Sequence, residues 1–194
     1  MLVGPALFED LLARYAEPHR HYHDRRHLAE VLGVVDQFGA HAADVEEVRL
    51  AAWFHDAVYD PRRTDNEHAS ARLAATALLE CGWPADSTGE VVRLVLLTVG
   101  HDPPAGDRNG ELLCDADLRI LAAGPARYAE YAEGVRAEYA HVNDASYAAG
   151  RRLVLRSLLD LPVLYRVPAI RDRWEQRARA NVTAELRRWE EGAT

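Results

Sequence analysis

The chain has 194 residues, enough to bury one sizeable core, and its 48% apolar and 28% charged residues are the balance of a globular protein. A formal net charge of −8 argues against broad, non-specific nucleic-acid binding, which needs a basic surface to displace counterions from phosphates. No apolar run approaches the roughly 18 residues of a membrane helix, and "MLVGPALFEDLLARY" shows no basic segment leading an apolar one, so no membrane partner and a cytoplasmic location are expected.

All 23 basic residues are Arg, none is Lys, and Ala is abundant, which is the usage of a GC-rich bacterial genome. Cys81 and Cys114 lack the C-x-x-C spacing of a thiolate zinc site and suit free thiols in a reducing compartment.

Apolar residues recur at helical spacing almost throughout and predict helices over about 5–17, 23–39, 43–59, 65–81, 86–100, 109–123, 125–140, 143–160 and 168–190. No alternating run rich in β-branched residues is found, so the fold class is all-α. No repeat or linker interrupts the pattern, which predicts a single domain over 1–194 with the helix at 168–190 packing on the bundle.

The second predicted helix opens "HRHYHDRRHLAEVL", with His23 and His27 one turn apart and His27 leading the apolar stripe Leu28, Val31, Leu32 and Val35. The third carries "RLAAWFHDAVYD", where His55 and Asp56 stand among Ala51, Ala52, Trp53, Phe54, Ala57 and Val58. Burying an ionised carboxylate costs several kcal/mol unless a partner replaces its water, and a cation reached by both side chains removes that cost. Thr64–Glu67 and Ser87–Glu90 match the capping box that starts a helix. "GWPADS" and "GHDPPAGDRNG" are loops by composition, the second containing His101.

Further on, "ELLCDADLRIL" embeds Asp115 and Asp117 among Leu112, Leu113, Leu118, Ile120 and Leu121. The tyrosines from Tyr128 to Tyr147 read as core, and Ile170, Trp174, Ala178, Val182, Leu186 and Trp189 form the buried stripe of the last helix. Singly, each His or Asp has a plainer explanation as a hydrogen-bonded core residue or a cap. Together they are three sets of potential ligands in apolar surroundings, on the second, third and sixth predicted helices.

The ordered set His27, His55-Asp56 and Asp117 resembles the HD-domain superfamily of metal-dependent phosphohydrolases. The wider run "EPHRHYHDRRHL", "AAWFHDAVYD", "NEHASARLA", "TVGHD", "CDADLRIL", "VRAEYAHV" and "YAAGRRLVL" is similar to its bacterial branch of predicted metal-dependent HD phosphohydrolases. The resemblance implies a helical bundle with one divalent cation on His27, His55, Asp56 and Asp117. Two imidazoles and two carboxylates suit Mn²⁺, Co²⁺, Ni²⁺, Fe²⁺ or Zn²⁺. His68 and His101 lie where superfamily members with two metals place extra ligands, so a second metal stays open.

The same resemblance implies hydrolysis of a nucleotide or other small phosphate ester by metal-activated water. Asp56 is then also catalytic, Glu67 positions water or moves a proton unless its capping role occupies it, and His101 assists. Arg20, His23 and Arg151 are expected at the substrate phosphate, with Arg152 more suited to a surface salt bridge. "HDAVYD" departs from the Glu-Asp pair of alarmone-hydrolysing members, which puts that substrate in doubt. The competing readings are a non-catalytic metal- or nucleotide-binding regulatory module and a di-iron oxygenase. A homo-oligomer is open to an all-helical surface.

Overall fold

Proline sets the first turn of three helices, α1 (Pro5–Arg14), α7 (Pro125–Glu138) and α9 (Pro168–Glu191), where its missing N–H leaves no helical bond unmade. In the computed structural model, which describes residues 4–191, the remaining helices are α2 (Arg25–Phe38), α3 (Val45–Phe54), α4 (Asn66–Glu80), α5 (Ala85–Leu97), α6 (Arg108–Asp117) and α8 (Asp144–Asp160). Short 3-10 segments follow α2 at Gly39–His41 and α6 at Leu118–Ala122. The described residues contain no strand, so the protein is all-α. The first three residues of the opening stretch and residues 192–194 lie outside the described residues. None of the described helices is long and apolar enough to cross a membrane.

Two compact units divide the chain, Met1–Ala116 and Asp117–Thr194. The divide falls in the last turn of α6, where no Gly-, Pro- or Ser-rich stretch marks it in the sequence.

In the first unit, α3 packs on α2, α4 and α5, and α4 on α5. α3 buries Val48, Leu50, Ala51, Ala52 and Phe54. The start of α6 is pinned by Asn109, whose Oδ1 accepts from the Ala43 and Asp44 amides at 2.9 Å each. Its Nδ2 donates to Glu90 and Glu47 at 3.3 and 3.4 Å. Gly110 permits this close approach, since a Cβ there would sit 2.6 Å from Leu97 Cδ2.

In the second unit, α9 packs on α8 and on the 3-10 segment, which also meets α7. Ile170, Trp174, Ala178 and Val182 form the buried stripe expected of the last helix, and Tyr128, Tyr131 and Tyr147 are buried as core. The stripe continues into an acid that periodicity does not suggest. Glu185 is buried and accepts from Arg151 at 2.7 and 3.0 Å, from Tyr128 Oη at 2.7 Å and from Trp189 Nε1 at 3.2 Å.

Three local expectations are corrected. The third helix does not run to residue 59; it ends at Phe54, with His55 as its C-cap. Neither capping box forms: α4 starts after Asp65 and α5 after Pro84, and neither start has a side-chain cap bond. The helix predicted over 109–123 becomes a 3-10 segment after Asp117.

Candidate metal centre

His27 is the third residue of α2, and Asp24 fixes it there. The Asp24 carboxylate accepts from the amides of Arg26 and His27 at 2.8 and 3.1 Å, an N-cap that satisfies two of the amides that lack helical partners. His27 is 2% exposed, in contrast to His19 and His21 on the exposed approach to the helix.

His55 and Asp56 stand at the opposite kind of position, where α3 ends. Past Phe54 the backbone is held from outside the helix. Arg20 donates from Nη1 to the Asp56 carbonyl at 2.8 Å and from Nη2 to the Ala57 carbonyl at 3.4 Å. The Val58 amide donates to Ser70 Oγ at 3.0 Å, and the Asp56 amide to Tyr15 Oη at 3.3 Å. These side chains replace the bonds that the next helical turn would have made.

At the turn, donor atoms converge. His27 Nε2 lies 3.0 Å from His55 Nε2, and Asp56 Oδ2 lies 3.2 Å from His55 Nε2 and 3.5 Å from His27 Nε2. Asp117 is the last residue of α6. Donors held at about 2.1 Å from one cation stand about 3.0 Å apart in an octahedral shell and about 3.4 Å apart in a tetrahedral one. The three short separations among His27, His55 and Asp56 match those edges.

The tautomer of His55 agrees with that use. Its Nδ1 lies 2.7 Å from the Ala52 carbonyl, which can only accept, so Nδ1 carries a proton and Nε2 is the nitrogen that faces the cluster. Tyr15 Oη approaches the same Nδ1 at 3.4 Å. Burial pushes the Asp56 carboxyl upward, but the adjacent charge of His55, hydrogen bonds from His27 and His55 and the charge of His23 together hold it well below the usual carboxylate range.

The other expected site residues separate. His23 borders the cluster, its ring 5.7 Å from that of His27 and 4.3 Å from that of Tyr59. Tyr59 is buried there, and Asp60 closes the following turn against Asn66. Arg20 is buried and spends its guanidinium on Glu17 and on the carbonyls of His23, Asp56 and Ala57, between the rings of Tyr15 and Tyr59. Its place is that of a brace for the turn.

Arg151 is likewise committed, to Glu185 and to Tyr131 Oη at 2.9 Å within the second unit, and Arg152 donates to the Trp189 carbonyl. Glu67, in the first turn of α4, makes no hydrogen bond with any described residue, so the capping role that competed for its carboxylate is absent. His68 is exposed on the same helix. His101 follows α5 with φ of 50°, its amide donating to the Leu97 carbonyl. None of these three belongs to the group of donors close enough for one cation. Asp115 is buried in α6.

Sequence reading missed Tyr15, Asp24 and Ser70. Asp24 carried a signal, an Asp directly before an apolar-periodic segment, whereas Tyr15 and Ser70 had none. No protein-family model, curated protein or solved structure matches the chain.

Proposed function

We propose that the chain is a metal-dependent phosphohydrolase acting on a nucleotide or another small phosphate ester, with one divalent cation of Mn, Co, Ni, Fe or Zn. The observation that carries the reading is the convergence of His27 Nε2, His55 Nε2 and Asp56 Oδ2 within 3.5 Å. The ordered motifs that resemble the HD-domain superfamily supply the reaction class.

His27, His55, Asp56 and Asp117 hold the cation in this reading. When bound, it supplies a Lewis acid that acidifies water and offsets charge on a phosphoryl oxygen. His55 donates a lone pair because the Ala52 carbonyl holds its other nitrogen protonated. Asp56 is a carboxylate donor to the cation, and Glu67 or His101 assists the proton transfer. His23 flanks the pair and contacts substrate. Tyr59 backs the His23 ring and keeps water from that side.

The test is hydrolysis of a panel of nucleoside mono-, di- and triphosphates, cyclic nucleotides and alarmones with Mn²⁺, Co²⁺ or Ni²⁺, beside metal analysis of protein purified without chelator. Turnover of at least one ester, lost on chelation and reduced about 100-fold or more in His55→Ala, is expected. Inactivity across the panel by a protein that retains its metal would replace the enzyme with a regulatory binding module.

A further inference from the structure

Within the second unit, residues of α7 and α9 line a hollow of about 510 Å³. Its apolar walls are Ala132 and Ala137 from α7 and the Trp189 ring from α9, and its charged residues are Glu133, Arg136, Glu185 and Arg188. Sites for small organic ligands span roughly 300–1,000 Å³. We infer that this hollow is a binding site, independent of the proposed metal centre, for a zwitterion with an apolar body, either a free apolar amino acid or a short apolar peptide.

The walls are built before any ligand arrives. Tyr128 Oη on α7 donates to Glu185 on α9 at 2.7 Å, one helical turn before Ala132, and so sets the spacing of the two helices. Trp189 Nε1 donates to Glu185 at 3.2 Å, and its ring stands edge-on to Tyr147 at 5.6 Å, so the indole is a fixed wall. On the α7 side the two alanines offer only methyl groups, which leave the space open.

Two of the four charged residues are already committed. Glu185 accepts from Arg151, Tyr128 and Trp189, and Arg136 donates to the carbonyls of Tyr139 and Val142 and to Asp144. The other two, Glu133 and Arg188, are exposed and make no hydrogen bond or ion pair with any described residue, each other included, so both can turn onto a ligand without breaking a contact. One free carboxylate and one free guanidinium on the same apolar-walled hollow select for both signs in one molecule. An anion that reaches Arg188 also meets Glu133, and a cation that reaches Glu133 also meets Arg188. A zwitterion turns both encounters into charge-assisted hydrogen bonds, while its apolar body lies against Ala132, Ala137 and Trp189.

Titration calorimetry of the full chain, stripped of metal and carrying His55→Ala so that no ligand carboxylate is held by a metal ion, tests the site apart from the metal centre. L-phenylalanine and L-leucyl-L-phenylalanine are the zwitterionic probes; hydrocinnamate lacks the ammonium and phenethylamine lacks the carboxylate. Binding of one or both zwitterions is expected, with each singly charged analogue about tenfold weaker. Glu133→Gln and Arg188→Gln are each expected to weaken the zwitterion about tenfold, while the first leaves hydrocinnamate and the second leaves phenethylamine no weaker than before. Ala137→Trp fills the hollow from an exposed position of α7 and is expected to abolish binding at an unchanged melting temperature. Tighter binding of L-phenylalanine identifies a free amino acid as the ligand, and tighter binding of the dipeptide identifies a peptide. No binding of either zwitterion, an analogue that binds as tightly as they do, or equal binding in wild type, Glu133→Gln and Arg188→Gln overturns the inference.

Discussion

Arg20 reaches across 36 positions of sequence to donate to the carbonyl of Asp56 at 2.8 Å, and so fixes the backbone of the residue whose carboxylate faces the two histidines. The Arg20 side chain is wholly buried, and the carbonyls it serves have no continuing helix to pair with. Arg20→Ala removes the donors and leaves the acceptors dry, a loss of about 2–4 kcal/mol. Arg20→Lys is expected to recover little, because an ammonium lacks the planar fork that serves several acceptors at once. Urea unfolding of the three proteins measures this; a Lys variant as stable as wild type would show that only the charge matters.

Tyr15 bridges the same turn, with its hydroxyl 3.3 Å from the Asp56 amide and 3.4 Å from His55 Nδ1. Tyr15→Phe keeps the ring in the core and removes the hydroxyl alone. Stability is expected to fall by about 1 kcal/mol, and affinity for Mn²⁺ or Zn²⁺ by about tenfold, since the imidazole loses part of its orientation. Competition against a chromophoric chelator reads the second effect. Unchanged affinity would leave the Ala52 carbonyl as the sole support of the ring.

The buried Arg151–Glu185 pair makes a pH prediction. Burial raises the Glu185 carboxyl, but hydrogen bonds and charge from Arg151, with bonds from Tyr128 and Trp189, outweigh it and hold the group below the usual range. A depressed carboxyl binds its proton less readily folded than unfolded. Its contribution is therefore present in full above the unfolded value of about 4.3 and is lost as pH falls through the lower folded value. Glu185→Gln leaves a buried guanidinium without its counter-charge, at a cost of about 3–5 kcal/mol. The gap between wild type and variant is expected to narrow as pH falls below about 4.3; a gap that stays constant there would mean the carboxylate is not the source of the stability.

The residues of the cluster were legible because His27, His55 and Asp117 each interrupt an apolar pattern, and burial of such groups demands a partner. The end of α3 was not legible: Ala57, Val58 and Tyr59 continue the helical periodicity, and what stops the helix is Tyr15, Arg20 and Ser70, brought in from 12 to 41 positions away. The capping boxes misled for a related reason. Thr64 and Ser87 fit the pattern, yet the helices start after Asp65 and Pro84, and Glu90 is drawn instead to Arg93 and Asn109. Local patterns place helices and their buried faces. Braces between distant residues appear only in the folded chain.

A bound cation that recognises only the folded cluster stabilises the fold by mass action, by about 2.7 kcal/mol at a free concentration 100 times its dissociation constant. In a chain of 194 residues, that is a rise in melting temperature of about 5–10 °C. Adding Mn²⁺ or Zn²⁺ to stripped protein is expected to produce it, and chelator to reverse it. Asp117→Ala tests the fourth ligand separately: two imidazoles and Asp56 remain within 3.5 Å of one another, so binding persists but weakens, and the rise shrinks without vanishing. His27→Ala removes a nitrogen from the centre of the group and is expected to abolish the rise. If His27→Ala responds to metal as wild type does, the cation sits elsewhere and the cluster is only a hydrogen-bonded core. If Asp117→Ala responds fully, Asp117 plays no part in holding the ion, and the ligand set contracts to His27, His55 and Asp56.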